Sequence, residues 1–148
     1  MKNLRGNYKM GDVNKKYLID TDENKKFLED VRNGLLNFGH AFPSPGGGSY
    51  YLGDDGTPWK DRNRETWITS RMAHVYSIGT FLGHEGSAEL ADAALKGLLG
   101  ELHDDVNGGW YAGLTANNEI VPTKQCYAHA FVIQAASSGV LAGRPGAK

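Results

Sequence analysis

The sequence predicts an all-α fold assembled from repeated helical pairs. Three observations predict it. Four long segments place apolar residues at the helical period. Glycines punctuate these segments at matching places. The chain also resembles itself when shifted by 60 residues.

The first helix is expected from about Asp22 to Phe38, where Phe27, Leu28, Val31, Leu35 and Phe38 form one apolar stripe. Thr21 or Asp22 can cap its start, and Gly39 can end it in a left-handed conformation. The segment Pro43-Ser-Pro-Gly-Gly-Gly-Ser49 then reads as a loop. Its glycines do not make a phosphate loop, because no Gly-Lys-Ser/Thr follows and no clear strand precedes. Tyr50-Tyr51-Leu52 with Asp54-Asp55-Gly56 suggests a short β-excursion around a tight turn.

The second helix is expected from near Arg64 to Leu82, with Trp67, Ile68, Met72, Val75, Tyr76 and Phe81 as its apolar positions. Arg71 stands four residues after Trp67 and four before Val75, inside that stripe. Gly83 and Gly86 break the helix, and Ser87 can cap a third. There Leu90, Ala91, Ala94, Leu95, Leu98, Leu99 and Leu102 keep the helical period. A turn cluster, Asp104 to Gly109, leads into alternating Trp110, Ala112 and Leu114, and Ile120 and Val121 follow Asn117-Asn118. This pattern predicts a β-hairpin. Pro122 and Thr123 are expected to open a fourth helix reaching about Leu141.

Sliding the sequence by 60 places Trp67 on Tyr127, Met72 on Val132 and Val75 on Ala135. Ser77 falls on Ser137, Gly79 on Gly139, Gly83 on Gly143 and Gly86 on Gly146. One unit is thus a helical pair plus an excursion, as in helical arrays and toroids. A ring of six such units takes about 360 residues, and this chain holds roughly two. The expectation is a partial ring, with a polar arm over 1–20 and a truncated domain over 21–148. Exposed apolar helix faces are then expected to promote self-association.

Composition narrows the functional classes. Of 148 residues, 40% are hydrophobic and 22% charged, a globular balance. A net charge of −1 gives no pull toward nucleic acid or an acidic membrane surface. Cys126 is the single cysteine, which rules out an internal disulfide and a cysteine-based zinc site and makes a cytoplasmic location the default expectation. No stretch has the apolar length of a membrane span, and no apolar run follows the basic residues of the first twenty.

The segment Glu65-Thr-Trp-Ile-Thr-Ser-Arg-Met-Ala-His-Val-Tyr-Ser77 resembles the N-acylglucosamine 2-epimerase superfamily, and looks closest to its aldose–ketose isomerases of the mannose and sulfoquinovose type. Gly108-Gly-Trp-Tyr-Ala112 and Lys124-Gln-Cys-Tyr-Ala-His-Ala-Phe131 support it at the expected order and distance. The resemblance implies an (α/α)6 barrel with a monosaccharide bound in its central pocket. It also implies proton transfer between C1 and C2, or at C2, through an enediolate-like intermediate, with histidines as acid and base and no metal or nicotinamide. Those histidines belong to the later two-thirds of the family's chain, so no catalytic residue is assigned in this one. The family's substrate-binding arginine matches Arg71, and its substrate-contacting tyrosine matches Tyr127. Where the family often carries Gly-Phe-Gly-Trp-Leu, this chain has Gly48-Ser-Tyr-Tyr-Leu52.

The residues carry their own readings beside this. Arg71 within an apolar stripe fits either a structural ion pair or a fork for two sugar oxygens. Tyr127 fits a core aromatic or a sugar contact. His74 is three residues from Arg71 and within its reach. His129 is two after Tyr127, about 200° round the helix. Both suit structural, hydrogen-bonded histidines or partners of the site. Trp67 fits the core or pocket floor, and Trp110 a packing anchor at the rim. His103-Asp104-Asp105 has the composition of a metal site but not the spacing. Glycoside hydrolysis needs two carboxylates at fixed separation, and Asp54-Asp55 and Asp104-Asp105 both fall in turns. A 2-epimerase and an inactive, open-faced module complete the alternatives.

Overall fold

A computed structural model describes residues 14–148; most of the polar arm lies outside the described residues. The chain divides into two compact units at Leu35–Leu36. Helix α1, Asp22–Phe38, runs through that division. In the first unit, Thr21 caps α1 by accepting the Asn24 N–H at 3.1 Å. Leu28, Val31 and Leu35 of the α1 stripe are exposed.

In the second unit a 3₁₀ turn, Gly39–Ala41, continues from α1. Gly39 is not left-handed, which corrects the expected C-cap. A Cβ there would collide with the hydroxyl of buried Tyr76, which is held by the Leu36 carbonyl, so close packing favours this glycine. Strands β1 (Tyr51–Leu52) and β2 (Pro58–Trp59) form the expected small excursion. Strand β3, Arg64–Glu65, follows, so helix α2 begins at Thr66 and not Arg64; it ends at Phe81. Helix α3 spans Ser87–Leu99. Strands β4 (Gly113–Leu114) and β5 (Ile120–Val121) make the expected hairpin, and β3 pairs antiparallel with β4 to extend it to three strands. Helix α4, Cys126–Leu141, starts later than Pro122-Thr123. The delay has a cause. Val121 ends a strand ahead of Pro122, a context that favours extended backbone, and Gln125 is itself extended.

Ser87 does not cap α3. Gly86, at φ 77°, occupies the cap, while the Ser87 hydroxyl lies 2.9 Å from His84 Nδ1.

The core gathers Phe42, Ala73, Tyr76, Ala91, Ala94, Leu95, Leu98, Leu102, Leu114, Val132 and Ala135. Helix α2 packs against both α3 and α4. Its buried residues are Thr66, Thr69, Ser70, Ala73, Tyr76, Ser77 and Gly79, and Val75, Ile78 and Phe81 are exposed. Of the expected apolar stripe, Tyr76 is buried and Met72 packs against the core, while Val75 and Phe81 face outward, so the stripe is only partly the buried face. Small side chains let neighbouring helices approach, and the hydroxyls of Ser70 and Ser77 bond back to the carbonyls four residues earlier, so their burial leaves no unpaired group. On α4, Tyr127, Ile133, Val140 and Leu141 are exposed.

The repeat is visible in atomic detail. Helices α2 and α4 each hold 16 residues. The N–H of His84 donates to the Gly79 carbonyl at 3.0 Å, and that of Arg144 to Gly139 at 2.8 Å. Gly83 and Gly143 have φ of 70° and 65°; Gly86 and Gly146, 77° and 74°. A Cβ on Gly79 would collide with Ser87, and one on Gly139 with Ala147. Phe42 and Leu102, also sixty residues apart, are both wholly buried.

The turn after α3 is fixed by charge. Asp104 is 3% exposed. It pairs with the Lys124 ammonium at 2.6 Å and accepts the N–H groups of Val106 and Asn107 at 3.1 and 3.0 Å. Lys124 first, then the Asn107 N–H, hold its carboxyl well below the ordinary carboxylate range. A depressed folded pKa stabilises above the unfolded value, near 4, and that stabilisation is lost as pH falls below it. Asp104→Asn is therefore expected to lower the melting temperature at neutral pH. The gap from the unaltered protein should narrow below about pH 4, which melting curves across pH will show.

Candidate sugar-binding face

Two i,i+4 pairs on the repeat-related helices meet at this face. Trp67 and Arg71 lie on α2; Tyr127 and Phe131 lie on α4. The 60-residue shift superposes Trp67 on Tyr127 and Arg71 on Phe131. The same turn of both helices thus presents one residue pair each.

Arg71 Nη2 donates to the Tyr127 hydroxyl at 3.0 Å. The Arg71 guanidinium lies 4.8 Å from the Trp67 ring centre and 4.5 Å from that of Phe131, within cation–π range of both. Trp67 and Tyr127 meet edge to face at 5.9 Å, and Tyr127 and Phe131 at 4.9 Å. Arg71 is exposed, not buried as its place in the stripe suggests. Among the described residues no ion pair includes it. Aromatic faces and one hydroxyl hold this cation, and most of its five donors stay available.

The histidines are engaged elsewhere. Ser138 donates its hydroxyl proton to the Gln134 carbonyl at 2.9 Å, so its oxygen accepts from His74 Nδ1 at 2.6 Å. The Gln134 amide faces His74 Nε2 at 3.4 Å. His74 thus ties α2 to α4. His129 Nδ1 donates to the Gln125 carbonyl at 2.8 Å, and its Nε2 accepts the Trp110 N–H at 3.1 Å. These partners fix the neutral Nδ1–H tautomer. Trp110 Nε1 donates to the Leu98 carbonyl at 2.7 Å, and its ring meets His103 and His129 at 5.2 and 5.6 Å. Trp110 and His129 secure the turn against α4 through bonds that involve neither Arg71 nor Tyr127. His103 pairs with Asp105 at 2.7 Å. Among the described residues, no three His, Cys, Asp or Glu side chains group as metal ligands, and no helix is long and apolar enough to cross a membrane.

The model of the family described as N-acylglucosamine 2-epimerase (GlcNAc 2-epimerase) matches residues 47–148, which include all four residues of the face. The chain belongs to this family. D-mannose isomerase from Thermobifida fusca is 35% identical over 125 residues, 84% of this chain and 31% of that protein. D-mannose isomerase from Pseudomonas cannabina pv. alisalensis is 42% identical over 83 residues, 56% of this chain and 20% of that one. The solved cellobiose 2-epimerase from Bacillus thermoamylovorans matches with a TM-score of 0.65 at 26% identity, covering 77% of this chain and 31% of that one. The chain thus spans under a third of the length of these relatives. Its helical pairs form part of the (α/α)6 toroid, and the epimerase-family motifs fall at the start of α2, in the turn before β4 and at the start of α4.

Three residues near this face were not singled out from sequence. Phe131 closes the aromatic clamp on Arg71; the 60-residue register places it opposite Arg71 and could have exposed it. Tyr51 donates to the Glu65 carboxylate, and its ring meets Trp67 at 6.4 Å. Burial, then the bond to Glu65, pushes the Tyr51 phenol up to about 12. No local pattern announces that pairing, because 14 residues separate the partners.

Proposed function

We propose that this epimerase-family chain supplies part of the substrate pocket of an aldose–ketose isomerase acting on a mannose- or fructose-like sugar. The supporting observation is the exposed Arg71 guanidinium, clamped by Trp67 and Phe131, bonded to Tyr127 and free of any carboxylate among the described residues. A planar fork of this kind offers paired donors to neighbouring sugar oxygens. It also favours negative charge that develops on them as a proton leaves the carbon beside the carbonyl. Both D-mannose isomerase relatives point to the same chemistry.

In this reading Arg71 and Tyr127 bind, Trp67 lines the pocket, and His74, Trp110 and His129 support it. Proton transfer proceeds without metal, on histidines outside the 148 residues. The ring nitrogens of His74 and His129 are already taken, so these residues alone bind without turnover. C2 epimerisation is the second reading, favoured by the cellobiose 2-epimerase likeness. Both reactions begin with the same proton abstraction.

Titration of the chain with D-mannose, followed by NMR, tests the binding claim. The Arg71 Nε–H and Tyr127 ring signals are expected to move together. Neither moving up to the solubility limit of the sugar would remove the face from the pocket.

A further inference from the structure

Glu65 lies just ahead of α2, where a carboxylate is well placed to cap the first free N–H groups. It makes no such bond. It accepts the hydroxyl of Tyr51 instead, across the gap between β3 and β1. The ring of Tyr51 stands edge-on to Trp67, with planes at 72°. Trp67 is in turn one of the two aromatic faces holding Arg71. The contacts therefore run unbroken from Glu65 through Tyr51 and Trp67 to the guanidinium.

We infer that Glu65 is a positioning residue for the Arg71 face: by accepting the Tyr51 hydroxyl it fixes that ring against Trp67, and Trp67 sets the seat of Arg71. This rests on the reading of Arg71 as a sugar contact only for its functional consequence. The mechanical coupling stands without sugar. A carboxylate acceptor forms a stronger, more directional bond with a phenol than a neutral one would. The Tyr51 phenol also stays protonated, and so a donor, through the neutral range. A simpler role would be to pin the β1–β2 excursion to the start of α2. That role predicts a change in stability alone.

Tyr51→Phe and Glu65→Gln separate the two. Each removes the charge-assisted bond while keeping side-chain shape. The readout in sugar-free protein is the Arg71 Nε–H resonance, which ring currents of Trp67 and Phe131 make sensitive to its seat. Both variants are expected to shift it in the same direction. The double variant is expected to shift it no further than either single one, because both changes break one interaction. D-mannose binding should weaken by about two- to tenfold, the effect of one well-made hydrogen bond. An Arg71 resonance unmoved in both folded variants, with only the melting temperature lowered, overturns the inference. Tyr51→Phe deletes a single oxygen and keeps the ring, so it remains decisive if Glu65→Gln folds poorly. Failure of the sugar reading looks different: the resonance moves in the variants but not on adding sugar to the unaltered protein.

Discussion

Arg71→Lys, in an active protein carrying these residues, is expected to lower kcat/KM for its sugar by about ten- to a thousandfold, the range for losing one well-placed electrostatic contact. Lysine keeps the charge but not the flat fork. Its ammonium cannot lie against Trp67 and Phe131, bond Tyr127 and meet two sugar oxygens at once. Folding should scarcely notice. Arg71 is exposed and in no ion pair among the described residues, and such surface changes shift stability by about 0.5 kcal/mol or less. A structural arginine would show the reverse, with the melting temperature falling and catalysis intact. Measuring kcat/KM and thermal stability on this variant therefore decides between the roles.

A different arginine carries the stability. Arg64 is 1% exposed. Its Nη1 donates to the Ser44 hydroxyl and the Gly47 carbonyl, each at 2.7 Å; its Nη2 donates to the Thr115 carbonyl at 3.2 Å and to the Asn118 side chain. One guanidinium thus ties the Pro/Gly loop to the β4–β5 hairpin using neutral acceptors. Arg64→Met fills similar space and makes none of these bonds. Stranding two or more half-buried acceptors should cost about 2–4 kcal/mol, or roughly 5–15 °C of melting temperature for a chain of this size. Thermal unfolding will measure it. A loss within error would mean that water replaces the arginine without cost.

The two arginines show where sequence reading succeeds and where it stops. Periodicity in Ala91, Ala94, Leu95 and Leu98 marks the buried face of α3, because leucine and alanine both fill a core and follow the turn of the helix, although Leu99 of the same stripe is exposed and Leu102 lies past the helix end. The same rule misleads in part on α2. That helix has neighbours on two sides, and close approach favours Thr69, Ser70, Ala73 and Ser77 over Val75 and Phe81. Arg71 draws attention as a charge among apolar residues, although it proves exposed. Arg64 does not, since its acceptors lie 17 to 54 residues away and all four belong to loops. The fourth helix begins late because β5 and the Lys124–Asp104 pair claim the segment first, a tertiary effect that Pro122 alone does not reveal.

The partnership of Arg71 with Tyr127 was legible only through the repeat and the family motifs. Residues 56 apart are joined because α2 and α4 are copies of one unit, each offering an i,i+4 pair at the same turn. Tyr51 stands where the family often has tryptophan, and its hydroxyl creates the bond to Glu65.

The product formed from D-mannose in deuterated water tests the proposed chemistry most directly. The measurement uses an active protein containing residues 1–148, with the product identified by NMR. An aldose–ketose isomerase yields D-fructose. D-glucose as the first product, with no fructose formed, would contradict the isomerase reading and place the reaction at C2 alone.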